Sequence, residues 1–234
     1  MRRPVLVVEH ESICSPGLFG EQLAASSIGT EVVRPYLSDP LPRSPEGYAG
    51  LVVLGGGMAA WEDDVAPWLP ATRALLAGAV TSGVPTLGIC LGAQLLALAC
   101  GGTVERGDAG PEVGQTLVRP SPAADADPYF GAVGDRLGAS WLVRHFHRDA
   151  VTVLPPDAEL LVSGDRYPNQ GFRVGESAWA VQYHPEVTTA GFAAWVQRAG
   201  RADRAAVMES VARAGPGQEQ VAVAHAAAFA ALLG

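Results

Sequence analysis

The apolar residues of this chain fall into short runs that stop abruptly on glycine or an acidic residue. Val5 to Val8 runs into Glu9, Leu51 to Leu54 into Gly55-Gly56-Gly57, and Val84 to Leu87 into Gly88. Runs of four are strand-sized, and the period changes between them: within Trp68 to Val80, Leu69, Leu75, Leu76 and Val80 share one face of a 3.6-residue helix. Strand alternating with helix predicts an α/β fold, a mostly parallel central sheet with helices on both faces. Functional groups in such sheets gather beyond the carboxyl ends of the strands, which directs attention to the residues that follow each run.

Leu91 to Cys100 is almost wholly apolar and closes on Gly101-Gly102, which predicts a buried helix launched from the Val84 strand. Residues 105 to 135 are rich in Gly, Pro and Asp; Val113 to Val118 reads as an edge strand and the rest as surface loop. Strands and turns return from Val151, with Leu160 to Ser163, Gly171 to Val174, and an alternating run that sets Trp179, Val181 and Tyr183 on one face. The tail from Phe192 to Leu233 is Ala-rich and helical, interrupted at Gly215-Pro216. No repeat or linker divides the chain, so residues 1–234 read as a single domain.

Composition narrows the function classes. Of 234 residues 48% are apolar and 17% charged, a globular balance rather than a disordered or coiled-coil one. The 16 basic and 24 acidic residues leave a net charge of -8, and no Lys/Arg block could neutralise a run of phosphates, so nucleic acid is not an expected partner. No apolar stretch approaches the roughly 18 residues of a membrane span, and the opening run is too short for a signal sequence. Cys14, Cys90 and Cys100 are too few and too unpatterned for a disulfide framework or zinc knuckle, which suits a cytoplasmic protein.

The chemistry centres on Gly88-Ile89-Cys90-Leu91-Gly92, a thiol between two glycines at the joint of a buried strand and a buried helix. Glycines two positions before and after permit a sharp strained turn that pushes the side chain outward. The helix N-terminus behind it favours a thiolate, and the N–H of Leu91 points where an oxyanion would form. A small core cysteine beside packing glycines is the alternative. A nucleophilic thiol needs a base, and among five histidines His184, in Gln182-Tyr183-His184-Pro185-Glu186, is the best placed. Pro185 biases His184 towards an extended backbone, so Glu186 can project to the same side and orient the imidazole. An exposed histidine at a strand end is the alternative there. The glycine trio after Leu54 could lend a second backbone N–H, but it matches neither a phosphate loop nor a dinucleotide fingerprint. His145-Phe146-His147 reads as a solvated loop pair rather than a metal site, and Glu62-Asp63-Asp64 as a solvated helix start.

Taken in order, Leu54-Gly55-Gly56-Gly57, Gly88-Ile89-Cys90-Leu91-Gly92-Ala93-Gln94 and Gln182-Tyr183-His184-Pro185-Glu186 resemble class I (triad-type) glutamine amidotransferases, stand-alone members similar to the amidotransferase domain of GMP synthase above all. The resemblance runs over about residues 1–190 and leaves a helical C-terminal extension of about 191–234. It implies a flavodoxin-like architecture and release of ammonia from glutamine by Cys90, His184 and Glu186. It also implies an oxyanion hole from Gly57 (or Gly56) and Leu91, and a substrate pocket at Gln94, Asn169, Gly171 and Phe172, with neither metal nor cofactor. Met58 stands where the family's oxyanion turn usually carries proline, and His147-x-Asp149 is similar to a His-x-Asp element of the GMP-synthase-like members. Glutamine is the expected substrate. A separate synthase or ligase is the implied ammonia acceptor, since the chain has no room for one, and a homo-oligomer is compatible with it. Two other readings stay open: a hydrolase of other γ-glutamyl compounds, and a non-catalytic regulatory module with the same fold.

Overall fold

A computed structural model describes residues 3–213 and 217–233, so the interruption expected at Gly215-Pro216 lies outside the described residues. In chain order the elements are β1 (Val5–Val8), α1 (Gly17–Ala25), β2 (Thr30–Val33), β3 (Gly50–Val53), α2 (Leu69–Ser82), β4 (Thr86–Ile89) and α3 (Leu91–Ala99). There follow β5 (Thr103–Arg106), β6 (Glu112–Pro120), α4 (Phe130–Leu137), β7 (Trp141–His147), β8 (Asp149–Val153), β9 (Ala158–Gly164), β10 (Gly171–Val174) and β11 (Ala178–Val181). Three helices end the chain: α5 (Thr189–Arg198), α6 (Arg204–Arg213) and α7 (Gly217–Ala231).

Nine strands form one sheet in the order β2-β1-β3-β4-β11-β10-β9-β6-β7, while β5 and β8 make a separate antiparallel pair. The first five positions are parallel and the last four alternate. This is the predicted α/β sheet with an antiparallel flank. β1, β3, β4 and β11 read VLVV, GLVV, TLGI and AWAV and are buried throughout, as strands covered on both faces must be. Phe19, Leu23, Phe130, Val133, Val221 and Phe229 of α1, α4 and α7 pack on one face of the sheet. Leu69, Leu75, Leu76, Leu95 and Leu96 of α2 and α3 pack on the other. Trp179 and Val181, with Tyr183 just beyond them, do share one face, that of α1, α4 and α7.

The antiparallel half departs from the sequence reading. β6 is not an edge strand: β9 and β7 pair with it on either side, and β7 is the edge. Both faces of β6 are partly covered, so its side chains lack the clean alternation that marks one wet face. The stretch read as surface loop contains α4, whose Phe130 and Val133 are buried, and a 3₁₀ turn at Pro122–Ala126. Glu62, Asp63 and Asp64 do not open a helix; they lie in turns ahead of α2, where Asp63 pairs with Arg73 and Glu62 accepts from the Ala59 N–H.

The joint between β4 and α3 is closely packed. A Cβ on Gly92 would run into the backbone carbonyl of Val53, and one on Gly88 would lie 2.6 Å from the carbonyl oxygen of Gly92. These contacts are backbone on backbone and cannot relax by a rotamer change. Gly92→Ala is therefore expected to lower the unfolding free energy by at least about 1–3 kcal/mol, measured by urea denaturation. A variant as stable as the parent would show that α3 can lift off the sheet without loss.

Candidate active site

Cys90 occupies the joint with φ 52 and ψ -104, a positive φ that a side chain rarely adopts. Its N–H donates to the carbonyl of Val181 across the β4–β11 pair at 2.8 Å, which locks the turn to the neighbouring strand. Because β4 and β11 are adjacent and parallel, with Ile89 opposite Val181, their carboxyl ends lie side by side. The residues after β11 therefore arrive at the thiol. A Cβ on Gly55, just beyond β3, would be 3.0 Å from His184 Cε1 and 3.7 Å from Cys90 Cβ, so all three chain segments meet at one point.

His184 Nδ1 and Glu186 Oε1 are 2.7 Å apart, both side chains almost fully buried. Burial alone would push this imidazole pKa down. The charge of Glu186, then the interaction with Cys90, and the hydrogen bond to Glu186 outweigh it and hold the pKa up at about 10. Among the described residues Nε2 has no hydrogen-bond partner. Four hydrogen bonds pin the backbone of the turn from three sides: His184 N–H donates to Arg144 O, the Leu18 N–H donates to Glu186 O, and Gln218 Nε2 donates to the carbonyls of His184 and Pro185. Trp195 of α5 sets its indole edge-on to the imidazole at 4.8 Å between ring centroids and donates its N–H to Ile13 O.

A cavity of about 510 Å³ opens on Cys90 and His184. Gly56, Gly57 and Gln94 line it, and Leu91 follows the cysteine as the first residue of α3, where backbone N–H groups have no intrahelical acceptor. Gln94 Nε2 donates to Asp149 O at 2.9 Å and to Gln182 Oε1 at 3.2 Å, tying α3 to the wall of the cavity. Cys14 lines the same cavity, but burial and then the nearby charges of Glu11, Glu186 and Cys90 push its pKa far up, so it stays a thiol. Cys100 lies at the far end of α3.

Asn169, Gly171 and Phe172 do not border the cavity. Asn169 directs its amide to the carbonyl of Val151, Gly171 packs on Val162 and Phe130, and Phe172 is buried in the core beneath α2 and α3. Gly171 and Phe172 are ladder residues of β10, paired on both sides, so they face the sheet's layers rather than its rim. The wall is built instead by Phe146, His147, Arg148 and Asp149, where β7 passes into β8, and by Trp195 and Arg198 of α5. His145 and His147 are buried, not solvated: both lie beside Glu112, with His147 Nε2 3.2 Å and His145 Nδ1 3.5 Å from its Oε2. Burial lowers the His145 pKa to about 3. The His-x-Asp resemblance singled out His147 and Asp149 without giving them a place. Arg144, Trp195 and Gln218 carried no motif.

The matched family model is that of class-I glutamine amidotransferases, over residues 19–197. The glutamine-hydrolysing GMP synthase of Leifsonia xyli subsp. xyli is 36% identical over 143 residues, 59% of this chain and 26% of its own. That of Herminiimonas arsenicoxydans is 30% identical over 193 residues, 80% of this chain and 34% of its own. The chain thus spans about a quarter to a third of the length of these curated relatives. A solved glutamine amidotransferase from Thermotoga maritima superposes with a TM-score of 0.84 at 25% identity, covering 98% of this chain and 99% of that one. One from Methylobacillus flagellatus superposes at 0.80 and 26% identity, covering 97% and 96%.

The His184 pKa, held near 10 against an ordinary 6.5, makes its ion pair a stabilising contact that is complete below about pH 6.5 and lost as pH rises through about 10. In Glu186→Gln burial should prevail and the pKa should fall below 6.5. Titration of the ring nitrogens by NMR measures the shift, and unfolding free energy between pH 6 and pH 10.5 should decline less in the variant. An unchanged imidazole pKa would mean that Glu186 does not govern it.

Proposed function

This chain belongs to the class-I glutamine amidotransferases, and from that premise we propose that it releases ammonia from the side chain of glutamine through Cys90, His184 and Glu186. The observation that carries the reading is the meeting, in one cavity, of a cysteine on a strained positive-φ turn with a buried His–Glu pair. The whole of residues 1–234 acts as one amidotransferase domain.

Cys90 Sγ attacks the carboxamide carbon of glutamine, forming a C–S bond while the carbonyl π electrons move to oxygen. The N–H groups of Leu91 and of Gly57 or Gly56 hold that oxyanion; one such donor is worth on the order of a hundredfold in rate. His184, carrying its proton, delivers it to the nitrogen as the C–N bond breaks, and ammonia leaves. Water then loses a proton to His184 and attacks the glutamyl thioester, releasing glutamate and the thiol. Glu186 keeps the imidazole oriented throughout, and Gln94, with the Phe146 to Asp149 wall, bounds the space for the amino acid end. The ammonia goes to a separate synthase or ligase, by analogy with the glutamine-hydrolysing GMP synthases.

The cavity volume favours a second reading. About 510 Å³ falls in the range of sites for drug-sized ligands, more room than glutamine alone fills, so γ-glutamyl amides with larger leaving amines are the alternative substrates. The same thioester chemistry serves both.

Incubation with a diazo-ketone analogue of glutamine should add one label per chain, mapped to Cys90 by mass spectrometry. Cys90→Ala should lower glutamine hydrolysis at least about a thousandfold with an unchanged circular dichroism spectrum. Labelling elsewhere, or activity retained in the variant, would remove the thiol from the reaction. Turnover of γ-glutamyl anilides well above that of glutamine would favour the second reading.

A further inference from the structure

Glu112, His145 and His147 form a buried cluster outside the chemistry assigned to Cys90. Their ligand atoms all lie within 4.8 Å of one another. The ladder sets this up: β6 and β7 are antiparallel with Glu112 directly opposite His147, and His145 lies two residues back along β7. The positions are those of backbone in a paired sheet, so the three side chains converge without help from a loop.

We propose that these three residues bind a divalent transition metal ion of the zinc class. Donor atoms about 2.0–2.1 Å from a tetrahedral ion stand roughly 3.3–3.4 Å apart. Glu112 Oε2 is 3.2 Å from His147 Nε2 and 3.5 Å from His145 Nδ1. Outer hydrogen bonds that orient metal ligands are in place on two of the three residues. His147 Nδ1 is 3.0 Å from the carbonyl of Asp149, which holds the proton on Nδ1 and leaves the Nε2 lone pair towards Glu112. Gln170 Nε2 donates to the Glu112 carboxylate at 2.9 Å.

The competing arrangement is a plain ion pair between protonated His147 and Glu112. It leaves His145 unexplained: that ring is fully buried and, among the described residues, neither of its nitrogens has a hydrogen-bond partner. A buried polar atom left unpaired costs about 1–3 kcal/mol, and an ion between the three residues gives the Nδ1 lone pair its partner. Two imidazoles and one carboxylate are a donor set suited to zinc and its neighbours. His147 also lines the large cavity, which supplies the entry path and room for water as a fourth ligand. The ion would brace the Phe146 to Asp149 wall; it takes no part in the thiol chemistry, and the inference stands whether or not the chain hydrolyses glutamine.

The test starts from full-length protein stripped with a chelator and titrated with Zn²⁺ by calorimetry. One ion per chain is expected, with affinity falling at least about tenfold in Glu112→Gln and in His145→Asn and unchanged in Cys90→Ala. Absence of binding to the parent, binding undiminished in both ligand variants, or binding lost in Cys90→Ala would overturn the site. Should the ligand variants misfold, Co²⁺ added to the parent decides. Visible d–d bands without thiolate-to-cobalt charge transfer are expected, and a charge-transfer band or no d–d bands would refute the assignment.

Discussion

The turn at Cys90 is the constraint from which the rest of the site follows. A side chain at φ 52 and ψ -104 is strained, and such strain persists only where the surroundings over-determine it. Here they do so three times. The Cys90 N–H is bonded to Val181, Gly92 lies against the carbonyl of Val53, and α3 is buried along nearly its whole length. Relaxing the turn would require moving that helix off β3 and β4. The turn sets the buried Cys90 against the cavity, at the first turn of α3 and beside the segment arriving from β11.

The same rim treats its buried ionisable groups in opposite ways, and packing decides which. His184 keeps a high pKa because Glu186 is 2.7 Å away; Cys14, lining the same cavity, is surrounded by negative neighbours and is held as a neutral thiol. His225, equally buried, has only the hydroxyls of Tyr129 and Tyr183 as partners, and burial lowers its pKa to about 3. Burial is common to all three. Negative neighbours raise the pKa of both His184 and Cys14, which keeps the first a cation and the second a neutral thiol, whereas burial alone acts on His225.

The C-terminal helices are built into this arrangement rather than hung from it. α7 covers one face of the sheet with α1 and α4 and sends Gln218 to the carbonyls of the His184 turn. α5 and α6 carry Phe192, Trp195, Val196, Val207 and Val211 into a third small core with Cys14, and Trp195 packs on the imidazole itself. An Ala-rich tail without a motif thus supports the histidine through ordinary packing and two hydrogen bonds.

The sequence alone determined what depends on neighbours along the chain: the strand runs that became β1, β3, β4 and β11, the helices α2 and α3, and the glycine spacing that makes the Cys90 turn. The two-residue step that lets Glu186 reach His184 belongs with them. All rest on local periodicity or backbone freedom, which a linear pattern records. Only the tertiary structure decided which strands lie side by side. It put β11 against β4 and so brought His184 to Cys90, moved the wall from Asn169, Gly171 and Phe172 to Phe146, His147, Arg148 and Asp149, and drew Glu112 to two histidines that read as solvated. Those outcomes belong to sheet order and to pairing across distant segments, and no local period carries that information.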